Sequence, residues 1–364
     1  MAKAKRLRVG VIGAGIGEYH LAGYESHPQA EVVALCDLDE TKLAASAAAH
    51  GIPHTFTDYK EMLGLAELDA VSVCVPNFLH APLVLAALAA GKHVLCEKPL
   101  SVDAKTGRKM VDAAKAAKKL FMIQFNNRYR PEATALKSAV DSGALGEVYF
   151  ARCGWIRRNG IPGWGGWFTQ KEYAGGGPLI DLAVHMFDLT WWLMGRPQPV
   201  SCLGATYSKF GPKMEALGPW GAPNVKGKFD VEDMGVGMVR FANGATVHLE
   251  ASWASRIERE WCYSTLCGDV AGATLERQWD RDGDDSTAVD KFKIFKQAHG
   301  APVDEDVKVA PDPAMGRLSA VRHFVDSVLN NTPLISPASD GLVMMKILDA
   351  LYKSAQTGKA VNIS

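Results

Sequence analysis

Residues 69–100 read DAVSVCVPNFLHAPLVLAALAAGKHVLCEKPL. An apolar run, Ala70–Val75, turns at Pro76-Asn77 and is followed by an Ala/Leu-rich helical stretch, Ala81–Ala90, that Gly91 stops. A second apolar strand, His93–Cys96, then leads into Glu97-Lys98-Pro99. Both strands are mostly apolar rather than alternating, which is the pattern of strands covered on both faces and hence of a parallel sheet. Residues that follow such strands lie at the carboxyl edge of the sheet, where open α/β folds bind their ligands. Lys98 sits at that edge, an unusual place for an ionisable group.

The alternation extends in both directions. Strand-like runs occur at Arg8–Ile12, Glu31–Cys36 and Phe121–Phe125, with helical stretches at Thr41–His50 and Asp103–Lys118. Together they predict a doubly wound Rossmann-type domain over residues 1–126. After Asn126 the texture changes. A helix ends near Ser142-Gly143, a strand runs over Glu147–Ile156, and a Trp/Gly/Pro-rich loop continues to Gly177 before a helix from Pro178 to Met194. Alternating strands follow at Met234–Phe241, Ala245–Trp253 and Glu260–Leu266, the first two joined by an Asn243-Gly244 hairpin turn. Gly211–Asp230 and Trp279–Ser286 read as long loops, and helices over Gly316–Leu329 and Asp340–Thr357 close the chain. The expectation is an α/β protein whose second domain, residues 127–364, carries a large, mostly antiparallel open sheet.

Composition narrows the function. The 364 residues, 48% hydrophobic and 22% charged, suit a two-domain globular protein. Lys plus Arg balance Asp plus Glu at 40 each, which points away from nucleic acid and membrane surfaces as partners. No signal-peptide core and no apolar run near the roughly 20 residues that span a bilayer is present. Seven scattered cysteines, several in apolar runs, suit reduced thiols in a cytoplasmic protein, and no CxxC spacing suggests a metal.

Directly after the first strand stands Gly13-Ala14-Gly15-Ile16-Gly17, where glycines permit a tight turn and let backbone N–H groups approach a pyrophosphate at a helix N-terminus. The third glycine comes one residue earlier than in GxGxxG. Asp37 ends the second strand, 22 residues beyond Gly15, where a carboxylate accepts hydrogen bonds from ribose hydroxyls and repels a 2′-phosphate. No arginine follows it, which favours NAD over NADP. Asp39 is the better cap for the next helix. Pro76, Asn77, Glu97, Lys98 and Asn126 each follow another strand and so converge on the same edge.

Asp181 and His185 lie four residues apart on the helix that opens after Gly175-Gly176-Gly177-Pro178, with Asp188 beyond them. That spacing puts both on one face, and histidine is the side chain best suited to proton exchange near neutral pH. An early-helix acid, a core histidine and a metal pair are the competing readings, and the chain offers no evident further ligands for a metal. The loop Arg157–Trp167 brings Arg157, Asn159, Trp164 and Trp167 together. Indole faces with guanidinium and amide groups suit a polyhydroxylated ring, while packing against the sheet is the alternative for either Trp.

These elements resemble the glucose–fructose oxidoreductase/inositol dehydrogenase (Gfo/Idh/MocA) family over essentially the whole chain. Carrying the resemblance are Gly13–Gly17 with His20, Pro76-Asn77 with His80, Glu97-Lys98-Pro99, Gly175–Gly177, and Asp181, His185 and Asp188. Val231-Glu232-Asp233, Asp340-Gly341 and Thr357–Val361 add to it. The resemblance implies a Rossmann domain holding NAD(P), a C-terminal α/β domain that builds a homodimer or homotetramer, and a carbohydrate or cyclitol substrate. It brings His80 into the cofactor set and implies a cis bond at Lys98-Pro99. The expected reaction passes a hydride from a secondary alcohol of a sugar, glycoside or cyclitol to the cofactor. His185 takes the hydroxyl proton, Lys98 stabilises the oxygen and Asp181 holds the arrangement; which of Lys98 and His185 is the principal base stays open. A net non-redox conversion with recycling NAD, of epimerase or glycosidase type, and a non-catalytic NAD-binding sensor are the alternatives. The short glycine motif, and Asn126-Asn127-Arg128-Tyr129 where relatives often carry an arginine pair, are departures.

Overall fold

The computed structural model describes residues 6–280 and 288–363. Of the loop expected over Trp279–Ser286, residues 281–286 lie outside the described residues. Two compact units form, residues 1–130 with 312–345 and residues 131–311 with 346–364.

The first unit alternates β1 (Leu7–Ile12), α1 (Gly17–Glu25), β2 (Ala30–Cys36), α2 (Glu40–His50), β3 (His54–Phe56), α3 (Tyr59–Leu63), β4 (Ala70–Val73), α4 (Asn77–Ala89), β5 (His93–Cys96), α5 (Ala104–Ala117) and β6 (Phe121–Ile123). Among the described residues the strands make a six-stranded sheet in the order β3-β2-β1-β4-β5-β6, every pair parallel. The order reverses at β1, so the crevice beside its carboxyl end is the topological switch point of the sheet. The apolar runs explain the arrangement: β4 is buried along its whole length because helices cover both faces. Helix α2 is capped as expected, the Lys42 N–H donating to Asp39 Oδ1 at 3.0 Å. The Pro76-Asn77 turn is shorter than its sequence suggests, because Asn77 already opens α4.

In the second unit, α6 (Pro131–Asp141) precedes β7 (Val148–Ile156). The Trp-rich loop and a short α7 (Lys171–Ala174) lead into a π-helical turn, Leu179–Ala183, that continues as α8 (Val184–Leu193). The strands β8 (Pro199–Tyr207), β9 (Met234–Phe241), β10 (Thr246–Ser252), β11 (Trp261–Gly268), β12 (Ala271–Gln278), β13 (Val289–Ala298) and β14 (Ala301–Asp306) follow. Helices α9 (Arg317–Asn330) and α10 (Ala338–Thr357) and a short β15 (Val361–Asn362) end the chain. Among the described residues the second sheet has nine strands in the order β14-β13-β12-β11-β7-β10-β9-β8-β15; β7 and β10 pair in parallel and the other neighbours are antiparallel.

Sequence alone assigns everything after residue 126 to the second domain, whereas residues 312–345 fold with the first unit. The reason is packing. Val321, Phe324 and Val325 of α9 are fully buried in the core that also contains Leu21 and Tyr24. A Cβ on Gly23 of α1 would approach Val321 Cβ to 2.6 Å, so glycine lets the two helices touch. Fully buried Arg128 fixes the returning segment, its Nη1 donating at 2.6 Å to both Asp340 Oδ2 and the Ile335 carbonyl.

Candidate functional site

In the first unit the glycine loop is built for a close ligand. Gly13 has φ +100°, and a Cβ there would meet the Cys74 carbonyl oxygen at 2.1 Å, so only glycine fits the turn. Gly17 is packed, with a Cβ reaching Val11 Cγ1 at 3.1 Å, while nothing lies within 4 Å of a Cβ on Gly15. Gly15 and Ile16 are exposed at the start of α1. Asp37 braces the loop: the Ala14 N–H donates to its Oδ2 at 2.7 Å and the Asp39 N–H to its Oδ1 at 2.9 Å. The pyrophosphate-type loop and the carboxylate after β2 are thus one hydrogen-bonded assembly.

Lys98 is partly open at the same carboxyl edge, and Lys98-Pro99 is cis. Its neighbours face inward. The Lys98 N–H donates to Glu97 Oε2 at 3.1 Å, and Glu97 Oε1 lies 3.2 Å from His20 Nε2. His20 Nδ1 is 2.9 Å from Ser72 Oγ, which is 2.8 Å from the Tyr24 hydroxyl. Burial would raise the Glu97 carboxyl, but the His20 hydrogen bond and the charges of His20, Lys98 and Arg317 outweigh it and hold Glu97 below the usual carboxylate range. A buried chain from Tyr24 to Glu97 therefore fixes the backbone that carries Lys98.

Three residues expected to contact cofactor also have partners within the protein. Glu97 is committed to His20 and to the Lys98 backbone, as described. His80 is buried with Nδ1 2.8 Å from the Pro99 carbonyl and Nε2 2.9 Å from the Val75 carbonyl. Burial lowers its pKa, against the two carbonyls that each favour a proton on the facing nitrogen, and in the neutral form only one of them receives an N–H. Asn126 Nδ2 donates to the Met315 carbonyl at 2.6 Å, which spends its amide on the segment before α9. Each sits at the expected edge, but sequence position does not reveal which backbone group its side chain meets.

The second unit gathers its polar cluster at one end of the large sheet. Between residues 176 and 193 every side chain is buried except Asp181 and His185, which stay partly open one turn apart. Burial excludes His185 as a wholly enclosed core histidine. Three hydrogen bonds from buried Glu232 set the start of this segment: Oε2 accepts from the Gly177 N–H at 3.0 Å, and Oε1 accepts from the Leu179 N–H at 3.1 Å and the Tyr352 hydroxyl at 2.7 Å. The glycines are a packing requirement, since a Cβ would meet the Glu232 carbonyl oxygen at 2.0 Å from Gly177 and the Tyr352 hydroxyl at 1.9 Å from Gly176. Burial pushes the Glu232 carboxyl up. The π-helical turn carries Asp181, whose Oδ2 accepts from the Trp253 indole N–H at 2.9 Å.

Around them stand residues from strand ends. Trp155 near the end of β7 lies 5.7 Å from the His185 ring, tilted by 50°, and stacks on Trp279 at 5.7 Å with 16° between the planes. Trp155 Nε1 donates to Glu260 Oε1 at 2.7 Å. Arg157, expected to bind substrate, donates Nε to the same Glu260 oxygen at 3.1 Å and lies over the rings of Trp155 (5.3 Å) and Trp220 (4.3 Å). Its charge is matched by Glu260. Trp164 Nε1 donates to the Gly211 carbonyl at 2.7 Å and so anchors the loop, while Trp167 stacks on its neighbour Phe168 at 3.8 Å. Asn159 is exposed and bridges Ala254. Among the described residues no group of three or more His, Cys, Asp or Glu is arranged to hold a metal.

Comparison with known proteins fixes the family. Residues 7–125 match the model for the oxidoreductase family with NAD-binding Rossmann fold, and residues 133–273 match the GFO/IDH/MocA C-terminal domain. The chain is 33% identical to D-glucoside 3-dehydrogenase of Escherichia coli over 98% of its own length and 97% of that protein's. This chain belongs to the Gfo/Idh/MocA family.

Another family relative, levoglucosan dehydrogenase of Pseudarthrobacter phenanthrenivorans, is 31% identical over 68% of each chain. The fold matches a levoglucosan dehydrogenase structure in complex with NADH and levoglucosan, with a TM-score of 0.85 at 22% identity over 99% of this chain and all of that one. This Gfo/Idh/MocA chain is an NAD-dependent oxidoreductase with a Rossmann domain and a mixed C-terminal sheet. The residues fit the dinucleotide: the strand–loop–helix turn tolerates no side chain at Gly13, leaves Gly15 open and is braced by the carboxylate of Asp37.

Trp155, Trp253, Trp279, Glu232 and Glu260 are missed by sequence reasoning as parts of the cluster. Only Glu232 had a signal, the Val231-Glu232-Asp233 run. Trp253 lies 72 residues from Asp181, and no local pattern ties them together.

Proposed function

We propose that the enzyme oxidises a secondary alcohol of a neutral sugar, glycoside or cyclitol. The reading rests chiefly on one observation: on a segment otherwise buried from residue 176 to 193, the two side chains left open are an aspartate and a histidine one turn apart, held by Trp253 and flanked by Trp155. The names of the relatives, a glucoside dehydrogenase and a levoglucosan dehydrogenase, support the substrate class. His185 removes the hydroxyl proton, a role for which imidazole is matched near neutral pH, and Asp181 orients substrate and base. Lys98, carried on a backbone fixed by Glu97, donates a hydrogen bond to the substrate oxygen and stabilises its developing charge. NAD, held by Gly13, Gly15, Gly17 and Asp37, supplies the hydride acceptor when bound. Asn159 contacts substrate hydroxyls, while Trp164 and Trp167 shape the loop.

The test is kinetic. Lys98→Ala and His185→Ala are each expected to bind NAD with wild-type affinity and to lose at least about a hundredfold in turnover on a neutral pyranoside, the scale of general acid–base catalysis. Undiminished turnover in either variant removes that residue from the mechanism.

We also propose a cytoplasmic homodimer or homotetramer. Among the described residues no helix is long and apolar enough to cross a membrane, and no disulfide links the seven cysteines. On the side of the large sheet opposite its buried residues, Leu203 and Met238 are cross-strand neighbours, 52% and 46% exposed, a pair suited to burial against a second copy. Mass measurement in solution tests the assembly; a monomer at micromolar concentration overturns it.

A further inference from the structure

Trp220 is a large indole left 47% exposed, yet its placement is firmly determined. Its loop is tied to the Trp-rich loop by five backbone hydrogen bonds: the Gly160 and Ile161 N–H groups donate to the Ala216 carbonyl at 3.0 and 3.1 Å, Gly218 to Ile161 at 2.8 Å, Gly163 to Trp220 at 2.7 Å and Asn224 to Trp164 at 2.7 Å. Gly218 makes room for the ring, since a Cβ there would meet Trp220 Cε3 at 2.7 Å. One face of the indole is occupied by the Arg157 guanidinium at 4.3 Å. Arg157 in turn covers Trp155, and Trp155 borders the His185 ring.

A continuous row therefore leads from His185 through Trp155 and Arg157 to Trp220. Trp155 is engaged with Trp279, Arg157 and His185, which leaves Trp220 as the exposed aromatic member of the row. Arg157 pairs with Glu260 at 3.1 Å, both largely buried, so the row carries no uncompensated charge with which to select an anion. Aromatic faces bind the C–H faces of rings and other aromatics by stacking.

We infer that Trp220 forms a subsite for a second ring, so that the preferred substrate is a neutral glycoside bearing a cyclic aglycone rather than a free monosaccharide. The inference rests on the proposed oxidation at His185 and names the substrate more narrowly. The glycone lies at His185, and the aglycone ring stacks on the open face of Trp220. Trp220 determines specificity and takes no part in the chemistry.

The test compares methyl and phenyl pyranosides of the same sugar, for a panel of hexoses, with the NAD-loaded full-length enzyme. The wild type is expected to show kcat/KM about tenfold higher for the phenyl member, the scale of one aromatic stacking contact. The gain should lie in KM. Trp220→Ala should bring the phenyl-to-methyl ratio close to one, and Trp220→Phe should restore most of it. A ratio unchanged in Trp220→Ala, or a wild type without phenyl preference, overturns the subsite. If no pyranoside in the panel reduces NAD, the proposed function fails instead. Calorimetric binding of the phenyl glycosides to wild type and Trp220→Ala then decides the subsite separately, with equal affinity or no binding to either counting against it.

Discussion

The indole N–H of Trp253 donates a 2.9 Å hydrogen bond to Asp181 Oδ2. Trp253 is completely buried directly after β10, and its own backbone N–H donates to the Asp233 carbonyl at 3.0 Å. A partly open carboxylate is thus held by a fully buried side chain. Replacing Trp253 by Phe keeps most of the buried ring and removes the donor. A hydrogen bond to a charged group contributes about 1.5–3 kcal/mol, so turnover should fall by at least about tenfold while NAD affinity is retained. Steady-state kinetics with calorimetric NAD binding checks this; wild-type kcat contradicts it.

Glu232 holds the start of the segment that carries Asp181. Glu232→Ala leaves the buried Gly177 and Leu179 N–H groups and the Tyr352 hydroxyl without their acceptor, and each such loss costs about 1–3 kcal/mol. Denaturant unfolding should show a loss of at least about 2 kcal/mol, with Tyr352→Phe losing about half as much or less. Equal losses in both variants would show that the carboxylate–backbone bonds contribute little.

Residues that the sequence does not mark decide much of this. The Rossmann half is legible because β1, β2, β4 and β5 are largely apolar, and glycine or an acid directly follows β1, β2 and β5. Strand β3, His54-Thr55-Phe56, is too short and too polar to signal itself, and β14, APVDED, is exposed along its length. Both are strands because their backbones complete a ladder, a property of the neighbour and not of the segment. At the candidate site, Asp181 and His185 are readable from helical spacing. Spacing does not reveal that Arg157, Glu97, His80 and Asn126 meet Glu260, His20, the Pro99 carbonyl and the Met315 carbonyl, contacts that only the fold brings about.

His50 links α2 to α1 through Glu18 at 2.9 Å and Glu25 at 2.6 Å. Burial alone would lower its pKa, but the two carboxylates outweigh burial and raise it. A histidine raised in the folded state contributes stability that is fully present below its unfolded value, about 6.5, and is lost as pH rises through the folded value. The Tm advantage of wild type over His50→Gln should therefore be largest near pH 6 and shrink towards pH 8.5. Thermal unfolding across that range checks the sign; an advantage that grows with pH refutes it.

Asp37 braces the Ala14 backbone and presents a carboxylate beside Leu38, which is 84% exposed, where an NADP enzyme would place a cation. Asp37→Ala should weaken NAD by about tenfold or more and narrow its advantage over NADP, because a lost acceptor and a lost repulsion act together. Calorimetric titration of both dinucleotides measures the ratio, and an unchanged ratio removes Asp37 from cofactor selection.

Net oxidation of a sugar alcohol fixes a stoichiometry between cofactor reduced and sugar converted. Purified enzyme, excess NAD and a neutral pyranoside should yield one NADH for each ketone-bearing sugar formed, with no product when NAD is withheld from cofactor-stripped enzyme. Converted sugar without accumulating NADH, or no conversion across pyranosides and cyclitols despite tight NAD binding, would contradict the account.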